Sequence, residues 1–275
     1  MATALILGDI TGKSRVAVRM LTSTLEARGH EVLALPTALI SNTLNLGKHA
    51  ALDTTEYLLA SLRAWEELGL GWDCVLIGYV TGLAQAKALC DVADRSRKRG
   101  AWVLVDPILG DGGRMYNSVT ADQAEGMRLL AQHADIVTPN LTEAYLLTDT
   151  PHEGSFANGK ETACDAFSGE RKPALDAQEA ALGALSGDGK RSVLITSTIA
   201  PDGGSMVLGY DAKAGERFAI PFERIPGRHF GTGDLFSALL TDGLLRGLTL
   251  EGAAREASEA VGRAIRGESA DVLPK

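Results

Sequence analysis

The chain has 275 residues, 45% hydrophobic and 23% charged, which can bury a substantial core and suits one large α/β domain over residues 1–275 better than two small ones. With 27 basic against 35 acidic residues its formal charge is -8, which disfavours broad binding to nucleic acid or to an anionic membrane, so any phosphate site must be local. Cys74, Cys90 and Cys164 are odd in number and widely spaced, which argues against a disulfide framework or a structural zinc site and makes a reducing, cytoplasmic compartment the expectation.

The N-terminus enters directly into an apolar run at 4–7, with no basic segment before it, and no stretch reaches the roughly 18 apolar residues of a membrane span. Neither a signal peptide nor a span is expected. Further apolar runs at 32–35, 74–77, 102–105, 136–137 and 193–195 alternate with amphipathic stretches at 14–28, 54–68, 84–99, 121–131 and 177–185. That rhythm predicts buried parallel strands joined by helical crossovers, with Gly29 and Gly100 as helix stops. After Ser205, alternating segments at 206–210 and 217–220 predict an antiparallel edge, and 234–245 and 250–265 a closing helix pair. Residues 150–173 are rich in Gly, Ser, Asn, Glu and Lys and lack apolar periodicity, which predicts a mobile surface insertion, with a functional lid as the sharper alternative.

Three short stretches carry chemistry. In Gly231-Thr232-Gly233-Asp234-Leu235-Phe236, two glycines precede a helical segment, so backbone N–H groups and the helix dipole can meet phosphoryl oxygens while Asp234 accepts a proton from an attacking alcohol. The plainer reading of Asp234 is an acid placed favourably at a helix start. Val105-Asp106-Pro107-Ile108-Leu109-Gly110-Asp111-Gly112-Gly113 puts Asp106 and Asp111 just past an apolar strand, where open α/β sheets bind ligands. Both could organise cations, or could simply serve the turn. Thr138-Pro139-Asn140-Leu141-Thr142-Glu143 spaces Asn140 and Glu143 to share one face of a helical turn, where they could hold Mg²⁺ directly or through water, form a reciprocal cap, or do both.

Together these stretches resemble the pyridoxal kinase branch of the ribokinase superfamily, which carries Asp-Pro-x-x-Gly-Asp, Thr-Pro-Asn-x-x-Glu and Gly-Thr-Gly-Asp-Leu-Phe in this order. Leu194-Ile195-Thr196-Ser197, Ile77-Gly78-Tyr79 and Ile40-Ser41-Asn42 extend the likeness through most of the chain except the insertion. The resemblance implies a three-layer α/β fold, a central mostly parallel sheet with helices on both faces. It also implies ATP-dependent phosphorylation of the hydroxymethyl group of pyridoxal, pyridoxine or pyridoxamine, with Mg²⁺, a monovalent cation such as K⁺, and a homodimer. By the same resemblance Asp234 is the base, and Gly231, Thr232 and Gly233 form the anion hole. Asp106, Asp111, Asn140 and Glu143 serve the cation and phosphate region; Thr196, Ser197 and Tyr116 contact the nucleotide; and the segment from Phe222 to Phe230 borders the adenine.

The acceptor end departs from the family pattern. Where the family has a Ser-His-Val type segment this chain has Asp9-Ile10-Thr11, and where it has Ser-Asn-His-Thr the chain has Ser41-Asn42-Thr43-Leu44. Thr43 cannot reproduce a titrating His, and Leu44 trades a hydrogen bond for apolar area. Tyr79 remains where the family places an aromatic near the pyridine ring. Asp9 could recognise a basic or donor-rich ring, or could pair with Lys13 or cap Thr11 and Gly12. These departures admit a second acceptor, a hydroxymethylpyrimidine; a non-catalytic vitamer or nucleotide sensor is the alternative of another class, against which the intact Asp234 turn argues.

Overall fold

The computed structural model describes residues 1–43, 48–150, 171–227 and 229–268, with backbone alone at 171–174. The elements are β1 (Thr3–Thr11), α1 (Val18–Ala27), β2 (Glu31–Ile40), β3 (Ala51–Asp53), α2 (Thr55–Glu67), β4 (Cys74–Ile77), α3 (Leu83–Lys98), β5 (Trp102–Val105), β6 (Gly110–Asp111), β7 (Arg114–Met115), α4 (Ala121–Gln132), β8 (Ile136–Val137), α5 (Leu141–Thr148), α6 (Arg171–Ser186), β9 (Ser192–Ile199), β10 (Ser205–Asp211), β11 (Glu216–Phe222), α7 (Thr232–Leu245) and α8 (Leu250–Arg266). One sheet runs in the order β11-β10-β9-β8-β5-β4-β1-β2-β3, and β6 pairs with β7 in a separate hairpin. From β2 through β9 neighbouring strands are parallel, and β3, β10 and β11 add antiparallel edges.

The two-residue period of the strands sorts their side chains into two cores. Leu5, Leu7, Val75, Ile77, Val103 and Val105 pack on one face with Leu58 and Leu62 of α2, Leu89 of α3, Met127 and Leu130 of α4 and Leu182 of α6. Ala4, Ile6, Cys74, Leu76 and Leu104 face the other way, onto Leu21 and Leu25 of α1, Leu235 and Leu239 of α7 and Ala253 and Ala257 of α8. This is the expected three-layer architecture. Small residues draw the last two helices together: a Cβ on Gly243 would lie 2.8 Å from that of Ala253.

Several elements differ from the expectation. α1 starts at Val18 rather than at residue 14, because Ser14 and Ala17 have φ of 83° and 50°, which no α-helix accommodates. β3 is three exposed residues, too short to show a period. The β6–β7 hairpin turns on Gly112 and Gly113, both at positive φ as a tight two-residue hairpin turn requires. α5 is buried nearly all round, so its sequence shows no amphipathic stripe. α6 begins at Arg171, inside the stretch expected to be an insertion; residues 151–170 of that stretch, Leu44 and Cys164 lie outside the described residues.

The parallel strands all end on the same edge, which gathers Asp9, Gly78-Tyr79, Asp106, Asn140 and Thr196. β1 lies between β2 on one side and β4 on the other, so successive crossovers leave it in opposite directions and a crevice opens there, the place where such sheets bind ligands.

Candidate functional site

The glycine-rich stretch forms the start of α7. Gly231 is the N-cap in the left-handed region at φ 76°, and Thr232 Oγ1 donates to the His229 carbonyl at 3.2 Å. Gly233 is exposed, and a Cβ built there would meet nothing within 4 Å, so the protein itself does not demand a glycine at that position. Asp234 follows in the first turn. Its carboxyl accepts the Ala17 backbone N–H, yet burial holds its pKa above the usual carboxylate range. Ala17 makes that bond from its costly positive-φ conformation, so the loop before α1 is shaped around Asp234.

Across the sheet, burial and the nearby Asp234 push Asp106 up to about 7, although Ser237 Oγ donates to its Oδ2 at 2.8 Å. Asn140 and Glu143 form a complete capping box: Asn140 Oδ1 accepts from Glu143 N at 3.0 Å and Glu143 Oε2 accepts from Asn140 N at 2.9 Å. Glu143 Oε1 also accepts from Leu109 N at 3.1 Å, and Asn140 Nδ2 donates to the Gly110 carbonyl at 2.8 Å. The pair thereby fastens α5 to the hairpin. Even with these donors, burial and Asp106 hold Glu143 well above the carboxylate range. The hairpin carries the exposed Asp111, and Tyr116 follows it. The Tyr116 phenol is pushed up by burial first and then by Glu143, Asp111, Asp234 and Asp106, so these four acids surround it.

At the crevice, Asp9 is buried and lifted to about 7 by burial and by Asp234. Among the described residues it pairs with no cation, and the Gly12 N–H goes to the Ile40 carbonyl instead, so neither pairing with Lys13 nor capping of Gly12 occurs. Tyr79 packs in a small cluster with Ala38, Ile40 and Ile108, separate from both cores, and its hydroxyl accepts from Gln123 Nε2 at 2.7 Å. Thr43 is half-buried; its predicted neighbour Leu44 is undescribed. Thr196 and Ser197 occupy a bulge in β9 where the register with β10 shifts, Ser197 at φ 62° and exposed, and the Thr196 N–H reaches the Pro139 carbonyl at 2.9 Å. Phe222 packs against the core under α7 and α8, whereas Phe230 is 40% exposed.

Asp9, Asp106, Glu143 and Asp234 thus share a region without a Lys or Arg ion pair among the described residues, and each is held toward its neutral form. An all-oxygen acidic set suits a hard dication, which would favour the ionised carboxylates. No three His, Cys, Asp or Glu side chains among the described residues converge on one metal position. That fits Mg²⁺ completed by phosphate oxygens and water rather than by a protein cage.

Residues 23–273 match the family described as phosphomethylpyrimidine kinase. The pyridoxine/pyridoxal/pyridoxamine kinase of Bordetella avium is 31% identical over 252 residues, 88% of this chain and 77% of that one. The chain belongs to the pyridoxal kinase family. A Bacteroides thetaiotaomicron structure, described as a phosphomethylpyrimidine kinase and solved with pyridoxal, superposes with a TM-score of 0.82 at 26% identity, covering 97% of this chain and 88% of that one. The pyridoxal kinase of Lactobacillus plantarum gives 0.79 at 27% identity over 97% and 88%. The fold is therefore ribokinase-like, and the chain is an ATP-dependent small-molecule kinase. No helix among the described residues is long and apolar enough to cross a membrane.

Sequence reasoning missed three residues of this kinase's site. Ser237 lies one turn beyond Asp234 on α7, a spacing that could have revealed it. Gln123, which also donates to the Val80 carbonyl at 2.9 Å, lies far along the chain, and Ala17 contributes only a backbone N–H, so neither left a signal.

A pH dependence follows from Asp9. Folding raises its pKa from 3.8 to about 7, so between those values the folded chain holds a proton that the unfolded chain releases, and stability falls as pH rises through that window. Asp9→Asn should therefore stabilise the free protein by about 2 kcal/mol above pH ~7 and by little near pH ~4. Thermal unfolding at the two pH values checks this; an equal gain at both would mean that the charge is not the cause.

Proposed function

We propose that this chain transfers the γ-phosphoryl group of ATP to the hydroxymethyl group of pyridoxal, pyridoxine or pyridoxamine. The observation that carries the reading is Asp234: a carboxyl with a raised pKa in the first turn of α7, beside the left-handed Gly231 and the open space over Gly233. A base is most effective when its pKa is near the working pH. The acceptor oxygen attacks the γ-phosphorus, its proton passes to Asp234, and the bond from the γ-phosphorus to the bridging oxygen breaks to release ADP. Backbone N–H groups of Gly231, Thr232 and Gly233 would receive the charge that develops on the phosphoryl oxygens.

Asp106 and Asp111, with Asn140 and Glu143 behind them, would hold Mg²⁺, which neutralises phosphate charge when bound. A monovalent cation such as K⁺ belongs to the same proposal. Thr196, Ser197 and Tyr116 would contact the nucleotide, with Phe222 and Phe230 bordering the adenine. Asp9, Thr43, Leu44 and Tyr79 would meet the acceptor ring. The small cluster around Tyr79 and its fixed hydroxyl support that role. A homodimer in a reducing cytoplasm completes the proposal, supported by the free buried Cys74 and Cys90.

The test is ADP formation by the purified protein with ATP and each vitamer, with and without excess chelator. Magnesium-dependent turnover of at least one vitamer is the expected result, and none with any of them overturns the reading. Hydroxymethylpyrimidine stands as the second acceptor, favoured by Thr43 and Asp9 and by the family match to phosphomethylpyrimidine kinase.

A further inference from the structure

We propose that Asp9 makes the acceptor site select a hydroxymethyl heterocycle whose neighbouring ring carbon bears an amino donor, either the aminomethyl arm of pyridoxamine or the ring amine of an amino-hydroxymethylpyrimidine. The proposal rests on the kinase reading above and specifies its acceptor.

Asp9 is 7% exposed, and among the described residues its only hydrogen bond comes from its own backbone N–H. A carboxyl so placed is costly, because buried polar groups in folded proteins are almost always satisfied. The local backbone is built to hold it there. The pairing of β1 with β2 shifts register between Gly8 and Asp9, so that Gly8 opposes Pro36 and Asp9 opposes Ala38. Thr37 is the extra residue. It is fully buried, and its Oγ1 donates to the Tyr79 carbonyl at 2.6 Å, tying this bulge to the pocket wall.

The position of Asp9 sets which part of the ring it meets. It influences both Asp234 and Tyr79 electrostatically, so it lies between the proposed base and the aromatic wall. With the reacting hydroxymethyl group at Asp234 and the ring at Tyr79, the substituent that reaches Asp9 is the one next to that hydroxymethyl group. An aldehyde oxygen there is an acceptor and opposes the carboxylate. A hydroxymethyl group can donate one hydrogen bond. An amine donates and, when protonated, also neutralises the charge of the buried pair of acids. The partial neutralisation of Asp9 in the free protein agrees with a site whose counter-cation arrives with the ligand.

The experiment measures kcat/KM, with ATP saturating, for pyridoxamine, pyridoxine, pyridoxal and the amino-hydroxymethylpyrimidine in the native protein and in Asp9→Asn. One of the two amines should exceed pyridoxal by about tenfold or more, and the substitution should shrink that ratio by a similar factor, as expected for a charge-assisted hydrogen bond. Whichever amine leads identifies the source of the donor. Equal use of all acceptors, or a ratio that stays within about twofold in Asp9→Asn, overturns the proposal and leaves the kinase reading intact. If Asp9→Asn does not fold, native pyridoxamine against pyridoxine decides the matter, since the two differ by an amine for a hydroxyl. No ADP from any acceptor overturns the kinase reading instead, and calorimetric binding of the same two vitamers then decides for Asp9.

Discussion

Asp234→Asn is expected to lower kcat by about 10²-fold or more while the protein stays folded and still binds nucleotide. The amide keeps the size of the carboxyl but cannot take the proton of the attacking hydroxyl. Its fold should tolerate the change well: Asp234 makes no ion pair among the described residues, and removing a carboxyl that is lifted by burial relieves repulsion with Asp9 and Asp106. An inactive variant with native or higher thermal stability is therefore the signature of a base. A merely structural acid at a helix start predicts the reverse, lower stability with turnover largely kept, because a favourable interaction with the helix dipole would be lost. Single-turnover measurements at saturating ATP separate the two, and near-native transfer would remove Asp234 from the mechanism.

The parts of this fold that were legible in the sequence are those where one physical signal dominates. The runs at 74–77 and 102–105 are apolar throughout because both faces of β4 and β5 are buried, and the amphipathic stretches beside them lie on either face of the sheet. What stayed hidden depends on backbone conformation or on contacts distant in sequence. Residues 14–17 read as the start of a helix, but the positive φ of Ser14 and Ala17 is imposed by the tertiary structure, which turns the Ala17 N–H toward Asp234. The hairpin was disguised as a turn because its strands are two residues each. Asn140 and Glu143 were legible as a cap and as cation ligands alike. The structure displays the cap, and it shows why the residues sit beside the phosphate region: through Gly110 and Leu109 they hold the hairpin in register with α5.

That fastening yields the second large effect, Gly110→Ala. Gly110 is buried and pairs with Met115 in the hairpin, and its carbonyl accepts from Asn140 Nδ2 at 2.8 Å. A Cβ on Gly110 would run into the Arg114 carbonyl oxygen and lie 2.9 Å from the Met115 Cα. Both obstacles are backbone, so no side-chain rotation relieves them. The hairpin must open or slide off α5, and either movement displaces Asp111 and Tyr116 from the acids they face. A misplacement of about 1 Å in groups that position a reacting phosphate costs on the order of 10²-fold in rate. kcat/KM for ATP should fall by that order, and stability by about 1–3 kcal/mol as the hairpin is strained. The contrasting control is Gly233→Ala, where the protein leaves open space for the methyl group and a helical position favours alanine by about 1 kcal/mol. That variant should be as stable as the native chain or more so, yet weakened toward ATP, because the methyl group would occupy room assigned to the phosphoryl oxygens. Should Gly110→Ala keep native kcat/KM, the hairpin has no part in holding the nucleotide, and Asp111 and Tyr116 leave the site with it.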